Sequence, residues 1–364
     1  MIITRNLIFE NFKNKSNSTN IKKKLKLILN NKNNEVINSL KLNYKYSYSQ
    51  KFINKFKNKF SSINLIGMGG SILGTKAIYN FLNHKVKKKI YFYDNLVPII
   101  KRKKNQKILN LVISKSGNTL ETISNTNNII RKKQKNIFIT DRGNNYLRTL
   151  AYKLKAEIVD HNNFIGGRYS VLSEVGMLPS SLVGLNSKKF KQFNNLIKKK
   201  NFINSLIFNV SNILLFVKKK KNNSIILNYD ESSDDLFKWY QQLIGESLGK
   251  NQKGIFPLIS TMPKDNHSLL QLYLDGPQKN FFTFFGIRGQ KSNKIINNSM
   301  LDTFNFIKNK KFSQILDAQR IATQKVFSQK NIPFRSFEIK KKNEETLGEL
   351  FTFFILETIL LGQC

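Results

Sequence analysis

Cysteine is almost missing from this 364-residue chain, the only one being Cys364. With one thiol no intrachain disulfide can form, a Cys-ligated zinc or iron–sulfur site is excluded, and nothing suggests secretion. His84, His161 and His267 are the only histidines, which leaves little for a His-rich metal site. Long apolar runs are missing too. None reaches the ~18 residues of a spanning helix, so no membrane span is expected. The closest stretch, Leu350 to Leu361, is broken by Glu357 and two threonines. Acidic residues are few, with 22 Asp+Glu against 62 Lys+Arg, a net charge of 62 − 22 = +40. Collagen-like, disulfide-framework and fully disordered classes are all excluded by this composition.

Total charge is ordinary at 23%, so the sign is unusual rather than the amount. Lysine and asparagine are spread along the whole chain, which reads as a compositional drift across solvated faces. A nucleic-acid footprint concentrates its cations on one face or in a known module. No such module is present, and no specific nucleic-acid partner is expected. The field should still draw in anionic ligands such as phosphates. The first residues are basic and acid-poor like a transit peptide, but so is the rest of the chain, and the expected location is cytoplasmic.

Length alone suggests two domains at about 150 residues each. Residues 1–60 read as short helices packed on a main body. An alternation then begins, with strands at Ile63 to Ile66, Ile90 to Tyr93, Leu109 to Ser114, Asn136 to Thr140 and Ala156 to Val159. Helices at Ile72 to Phe81 and Thr119 to Arg131 fall between them. The Lys-rich stretch Lys188 to Lys200 separates this run from a second one. There, strands are expected at Ser224 to Tyr229, Phe281 to Ile287 and Ser336 to Ile339. The helices of this half are Asp235 to Lys250, Phe312 to Gln329 and Glu344 to Leu361. Such alternation means βαβ units and mainly parallel sheets. The boundaries are 1–60, 61–195 and 196–364.

Five segments can carry chemistry. Gly67-Met68-Gly69-Gly70-Ser71 lies between a strand and a helix, where a close backbone and free N–H groups suit an anion. It fails the dinucleotide pattern at Ile72 and the P-loop pattern at Thr75-Lys76, and a plain tight turn explains it equally. Ser114-Lys115-Ser116-Gly117-Asn118-Thr119 opens another helix with three hydroxyls and a lysine, a phosphate cradle; Asn118 with Glu121 also reads as a capping box. Two cradles after strands of one sheet favour an anion site at the strands' carboxyl ends. Arg168, between Gly166-Gly167 and Tyr169-Ser170, either faces a developing negative charge or sits in a surface turn. Gln242 and Glu246 share one helical face, opposite Leu236, Tyr240, Leu243 and Ile244, and on spacing alone Glu246 reads as solvated. His267, before the apolar stretch Leu269 to Leu274, reads alone as a cap or core-edge residue.

Together, in order and spacing, these segments resemble the glucose-6-phosphate isomerase family in its shorter bacterial form. The motifs are IGMGGSILG, ISKSGNTLET, GGRYSVLSEVG, WYQQLIGESLGK and PKDNHSLLQLYLDGPQ, and the likeness runs from about residue 60 to 361. It implies two sugar-isomerase (SIS) type three-layer α/β/α domains, a homodimer, a sugar phosphate as substrate, and no metal or cofactor. Residue by residue, it implies that Gly70, Ser71, Ser114, Lys115, Ser116 and Thr119 grip the phosphate and that Gln242 positions the sugar. Glu246 becomes the base that carries a proton from C2 to C1, and Arg168 the stabiliser of the enediolate. His267 becomes the helper of ring opening, supplied by the partner subunit.

The residue types suit that reaction. Aldose–ketose interconversion calls for a carboxylate with a pKa raised toward neutrality and a cation facing the enediolate oxygens. Binding of the remote phosphate can serve orientation. In the family a final segment with a Gln and a catalytic Lys follows the last helix, whereas this chain stops at Leu361-Gly362-Gln363-Cys364. The leading expectation is isomerisation of glucose 6-phosphate and fructose 6-phosphate. The alternative is a catalytically impaired sugar-phosphate-binding protein on the same fold.

Overall fold

Apolar alternation along each strand sets the layers of the molecule. The computed structural model describes residues 3–13, 18–96, 107–131, 134–296 and 302–364. Its strands are β1 (Leu7–Glu10), β2 (Ser62–Gly67), β3 (Lys89–Tyr93), β4 (Ile108–Ile113), β5 (Lys135–Thr140) and β6 (Glu157–Asp160), then β7 (Asn223–Asn228), β8 (Phe256–Thr261), β9 (Asn280–Ile287) and β10 (Phe334–Ile339). They form two five-stranded sheets, ordered β3-β2-β4-β5-β6 and β1-β10-β9-β7-β8. All pairings are parallel except that of β1 with β10.

Successive side chains point to opposite faces, so each strand serves two cores. Ile63, Leu65, Leu109, Leu111, Ile137 and Ile139 enter a large core, which also takes Phe281, Phe285 and Phe337 from the second sheet. Their neighbours Ile66, Val112 and Phe138 meet Leu147 and Ala151 of the helix Tyr146–Lys153 on the outer face. Phe282 and Phe284 likewise meet Phe327 of the helix Phe312–Gln329. The two inner faces are therefore joined through one continuous core. The helices Leu73–Phe81 and Asp234–Leu248 pack directly on each other within it.

Glu357, the residue that interrupts the apolar stretch in the sequence, forms a fully buried ion pair with Arg335 of β10. It also accepts from Tyr240 Oη at 2.7 Å and Asn209 Nδ2 at 2.5 Å. The guanidinium donates further to Thr283 Oγ1 at 2.9 Å and Asn209 Oδ1 at 2.8 Å. Strands β9 and β10 are thereby tied to three helices by one satisfied polar cluster, which is the condition under which buried charge is tolerated.

The structure departs from the sequence reading in several places. The N-terminal segment is not only helical, because β1 pairs antiparallel with β10 at the far end of the chain. Four residues with Leu7 and Phe9 turned inward give too short a pattern to stand out. Strand β8 is also unmarked in the sequence, its exposed Phe256 and internal Pro257 hiding the alternation. The Asn/Lys bias is not confined to solvated faces. Asn64, Asn110 and Asn136 are buried and linked across three strands at 2.8 Å each, and Lys191 is buried as well. The helix Lys200–Lys218 is long and apolar enough to cross a membrane, which the sequence reading did not anticipate, but its Phe202, Leu206, Val210 and Ile213 are buried in the core. Its Asn209 completes the Arg335–Glu357 cluster.

Replacing Glu357 by Leu strands the Arg335 guanidinium in the core. Loss of one partner of a buried pair costs about 3–5 kcal/mol, and a fall of that size in unfolding free energy is expected by urea titration.

Candidate active site

The chain leaves β2 and β4 in opposite directions. From β2 it runs to β3 at one edge, and from β4 to β5 and β6 on the other side. The turns after these neighbouring strands part and leave a crevice, the place where open parallel sheets take their ligands.

After β2 comes the 3-10 turn Gly69–Ser71. Gly69 has φ +51°, and a Cβ there would lie 2.7 Å from Nε2 of Gln242. A Cβ on Gly70 would lie 2.2 Å from the carbonyl carbon of Gly167. The backbone of this turn thus rests directly on the 3-10 segment Gly167–Leu172, which carries Arg168. Ser170 Oγ sits between the two stretches, 2.7 Å from Gly167 O of its own segment and 3.4 Å from Gly70 O across the contact.

After β4, Ser114 Oγ lies 3.0 Å from Thr119 Oγ1 and accepts from the Gly117 N–H at 3.2 Å. Ser116 Oγ accepts from the Asn118 N–H at 3.3 Å, and Lys115 Nζ donates to Asn163 O at 2.6 Å. The helix Leu120–Ile129 has Thr119 at its N-cap, with no side-chain cap bond. The capping box of Asn118 and Glu121 is therefore absent, since Asn118 Oδ1 accepts from the Tyr146 N–H at 3.0 Å instead. The start of that helix thus has no side-chain cap on its N–H donors, and uncapped donors of this kind suit an anion.

The helix Asp234–Leu248 brings the second half of the molecule to the crevice. Leu236, Tyr240, Leu243 and Ile244 are buried, which turns Gln242 and Glu246 the other way. Glu246 is not merely solvated, although its side chain is 49% exposed. Gln242 Nε2 donates to its Oε1 at 2.7 Å, and Arg168 Nη1 to its Oε2 at 3.3 Å. Arg168 is not a free surface side chain either, for Nε donates to Ser247 Oγ at 2.7 Å.

These groups line one cavity of about 340 Å³: Gly70, Ser71, Ser114, Lys115, Ser116, Thr119, Arg168, Gln242 and Glu246. Met68, Asp141 and Gly167 complete it. His267 is not among them. It follows β8 and the short 3-10 turn Lys264–Asn266, and it is exposed. Roomier hollows of about 480 and 740 Å³ lie elsewhere, and neither is at the parting of β2 and β4. Among the described residues no group of three His, Cys, Asp or Glu is placed to hold a metal ion.

Behind the Arg168 segment, Lys191 donates to the carbonyls of Leu172 and Ser39. Burial pushes its ammonium down to about 7, a fall that the nearby Glu174 carboxylate opposes. Glu174 itself is pushed up by burial. Sequence reasoning passed over Asp141, Ser247 and Tyr169 as site residues. Ser247 and Tyr169 each follow a singled-out residue directly, and no spacing rule marks such a neighbour.

Two mainly parallel sheets joined by one core, with a hydroxyl-lined crevice at the carboxyl ends of one of them, define an α/β protein with the ligand crevice of an open sheet. The chain belongs to the phosphoglucose isomerase family, whose sequence profile matches residues 13–256. Glucose-6-phosphate isomerase of Methanocaldococcus jannaschii is 33% identical over 323 residues, covering 83% of this chain and 78% of that protein. In fold, the chain is similar to a hypothetical protein of Thermus thermophilus, with a TM-score of 0.80 at 20% identity over 95% of this chain and 89% of that one. A glucose-6-phosphate isomerase from Chlamydia trachomatis gives a TM-score of 0.65 at 21% identity, covering 86% of this chain and 67% of that one.

The glycine contact can be checked directly. Gly70→Ala overpacks a backbone–backbone contact and should lower the unfolding free energy by about 1–3 kcal/mol. Gly245→Ala, where nothing lies within 4 Å of the added carbon, should instead raise it by up to about 1 kcal/mol through helix propensity. Urea midpoints of the two variants decide.

Proposed function

We propose that the chain interconverts glucose 6-phosphate and fructose 6-phosphate, as a cytoplasmic enzyme of glycolysis and gluconeogenesis. The observation that carries this reading is the single cavity where a hydroxyl-rich turn at a helix start faces Glu246, with Arg168 and Gln242 on the carboxylate. The turns within residues 61–195 hold the phosphate: Ser71 with the Gly70 backbone on one side, and Ser114, Lys115, Ser116 and Thr119 on the other. Hydroxyls, one ammonium and helix N–H groups bind a phosphate without any nucleotide motif. Gln242 positions the sugar.

With the phosphate fixed, C1 and C2 of the open-chain sugar lie toward the helix of residues 196–364 that carries Glu246. The carboxylate takes the C2 proton, and the C–H electron pair becomes the C1–C2 double bond of an enediolate. The Arg168 guanidinium faces the oxygen that gains charge. The O2 proton then passes to O1, and return of the carbon-bound proton from Glu246 to C1, as the O2 electron pair forms the C2 carbonyl, gives the ketose. One base serves both carbons because they are adjacent and the phosphate holds the chain still.

His267 is the helper of ring opening in this reading, and it acts in a homodimer. Its exposure, outside the cavity of its own chain, supports delivery into the cavity of a second copy. Mixing Glu246→Gln with His267→Ala, each inactive alone, should restore about a quarter of the sites, because one site per mixed dimer keeps both groups in a two-fold assembly. No regain of turnover after subunit exchange would place His267 elsewhere.

The central test is fructose 6-phosphate turnover. Glu246→Gln should abolish it and leave phosphosugar affinity within about twofold, since only the base is removed. Ser114→Ala with Thr119→Ala should instead weaken binding by about 10-fold or more, as two hydroxyl donors are lost. Phosphosugar binding by the unaltered chain with no turnover would replace the isomerase reading by that of a sugar-phosphate-binding protein.

A further inference from the structure

Glu246 is a poor anchor for Arg168 during the reaction proposed above. The pair is 3.3 Å apart with side chains 24% and 49% exposed, so solvent screens it. More importantly, the carboxylate loses its charge when it accepts the C2 proton. That is the moment at which the guanidinium is needed opposite the enediolate. A device that holds Arg168 must therefore be indifferent to the protonation of Glu246.

Such a device is present. Arg168 Nε donates to Ser247 Oγ at 2.7 Å, and the Tyr169 hydroxyl lies 2.8 Å from the same oxygen. The Arg168 Cζ atom stands 4.9 Å from the centroid of the Tyr169 ring. Ser247 adjoins the base on the helix Asp234–Leu248, and Tyr169 adjoins Arg168 on the facing 3-10 segment. The clamp thus bridges the two elements that carry the reacting groups. It uses the Nε–H and the aromatic face, both independent of the carboxylate, and leaves the Nη2 group without a hydrogen-bond acceptor among the described residues.

We propose that Ser247, backed by the Tyr169 hydroxyl, is the positioning residue that keeps the Arg168 guanidinium aimed at the reacting carbons while Glu246 is protonated. The inference rests on the isomerase reading. As the base takes the C2 proton, the Arg168–Glu246 attraction lapses and the negative charge moves to the sugar oxygen. The guanidinium, still held through Nε, turns its Nη groups to that oxygen without having to be repositioned. A fixed cation of this kind costs no reorganisation as the charge develops.

The test is steady-state kinetics with two ligands. Ser247→Ala should lower kcat about 10- to 100-fold, the range expected for a misplaced catalytic group, with KM for fructose 6-phosphate within about twofold. Ser247→Thr, which restores the hydroxyl, should recover most of kcat, and Tyr169→Phe should cost about threefold to fivefold by loosening Ser247 alone. A phosphorylated hydroxamate that mimics the planar enediolate should lose affinity in step with kcat. Glucitol 6-phosphate, which has the phosphate but forms no enediolate, should bind as before. In an Arg168→Ala background, Ser247→Ala should add no further loss. Full kcat in Ser247→Ala beside a slowed Arg168→Ala overturns the inference alone, as does an additive loss in the double variant. Unaltered turnover in Arg168→Ala overturns the reading of the site and this inference with it.

Discussion

The site depends on a contact that has no side chain in it. Gly70 and Gly167 meet backbone to backbone, so the turn after β2 lies directly on the segment that carries Arg168. The same turn touches Gln242 through Gly69. Three stretches about 97 and about 75 residues apart in the chain are thereby pressed into one cavity wall. Any added carbon at Gly70 would drive the turn after β2 away from the segment that carries Arg168. What keeps the contact in place is the continuous core, in which the helix Leu73–Phe81 packs on the helix Asp234–Leu248. The polar cluster of Arg335 and Glu357 fixes that second helix from behind, through Tyr240.

Charge is distributed on two scales in this molecule. The global excess of lysine raises the local concentration of any anion, a long-range effect that falls with salt. Inside the cavity the balance is different. Lys115 and Arg168 stand against Asp141 and Glu246. The cavity thus offers oriented hydroxyls, backbone N–H groups and one guanidinium rather than a surplus of lysines. The long-range field and the local balance of the crevice at the parting of β2 and β4 are thus set by different residues.

The same separation applies to asparagine. As a solvated residue it says little about structure. In the Asn64–Asn110–Asn136 ladder it is buried, and each side chain satisfies its neighbour across parallel strands that are in register. A buried amide is acceptable only when its partners are present, and here the register supplies them. A compositional bias has been absorbed into the interior by pairing the biased residue with itself.

Much of the fold was legible in the linear sequence. The strand–turn–helix alternation predicted the parallel sheets, because period-two and period-3.6 apolar patterns are local properties of the chain. The two hydroxyl and glycine turns pointed to a crevice at the carboxyl ends of the parallel strands, and they do line one cavity there. Strand β1 escaped, because its partner β10 lies more than 300 residues away and its own four residues carry too little pattern. Spacing alone could not separate Glu246 and Arg168 from ordinary surface residues; only the family likeness singled them out. Their meeting at 3.3 Å, and the clamp of Ser247 and Tyr169 that accompanies it, were decided by tertiary packing. Apolar periodicity tells each element which side to bury, and that is written residue by residue. Which two polar side chains then face each other across the crevice depends on how distant elements dock, and no local pattern contains that.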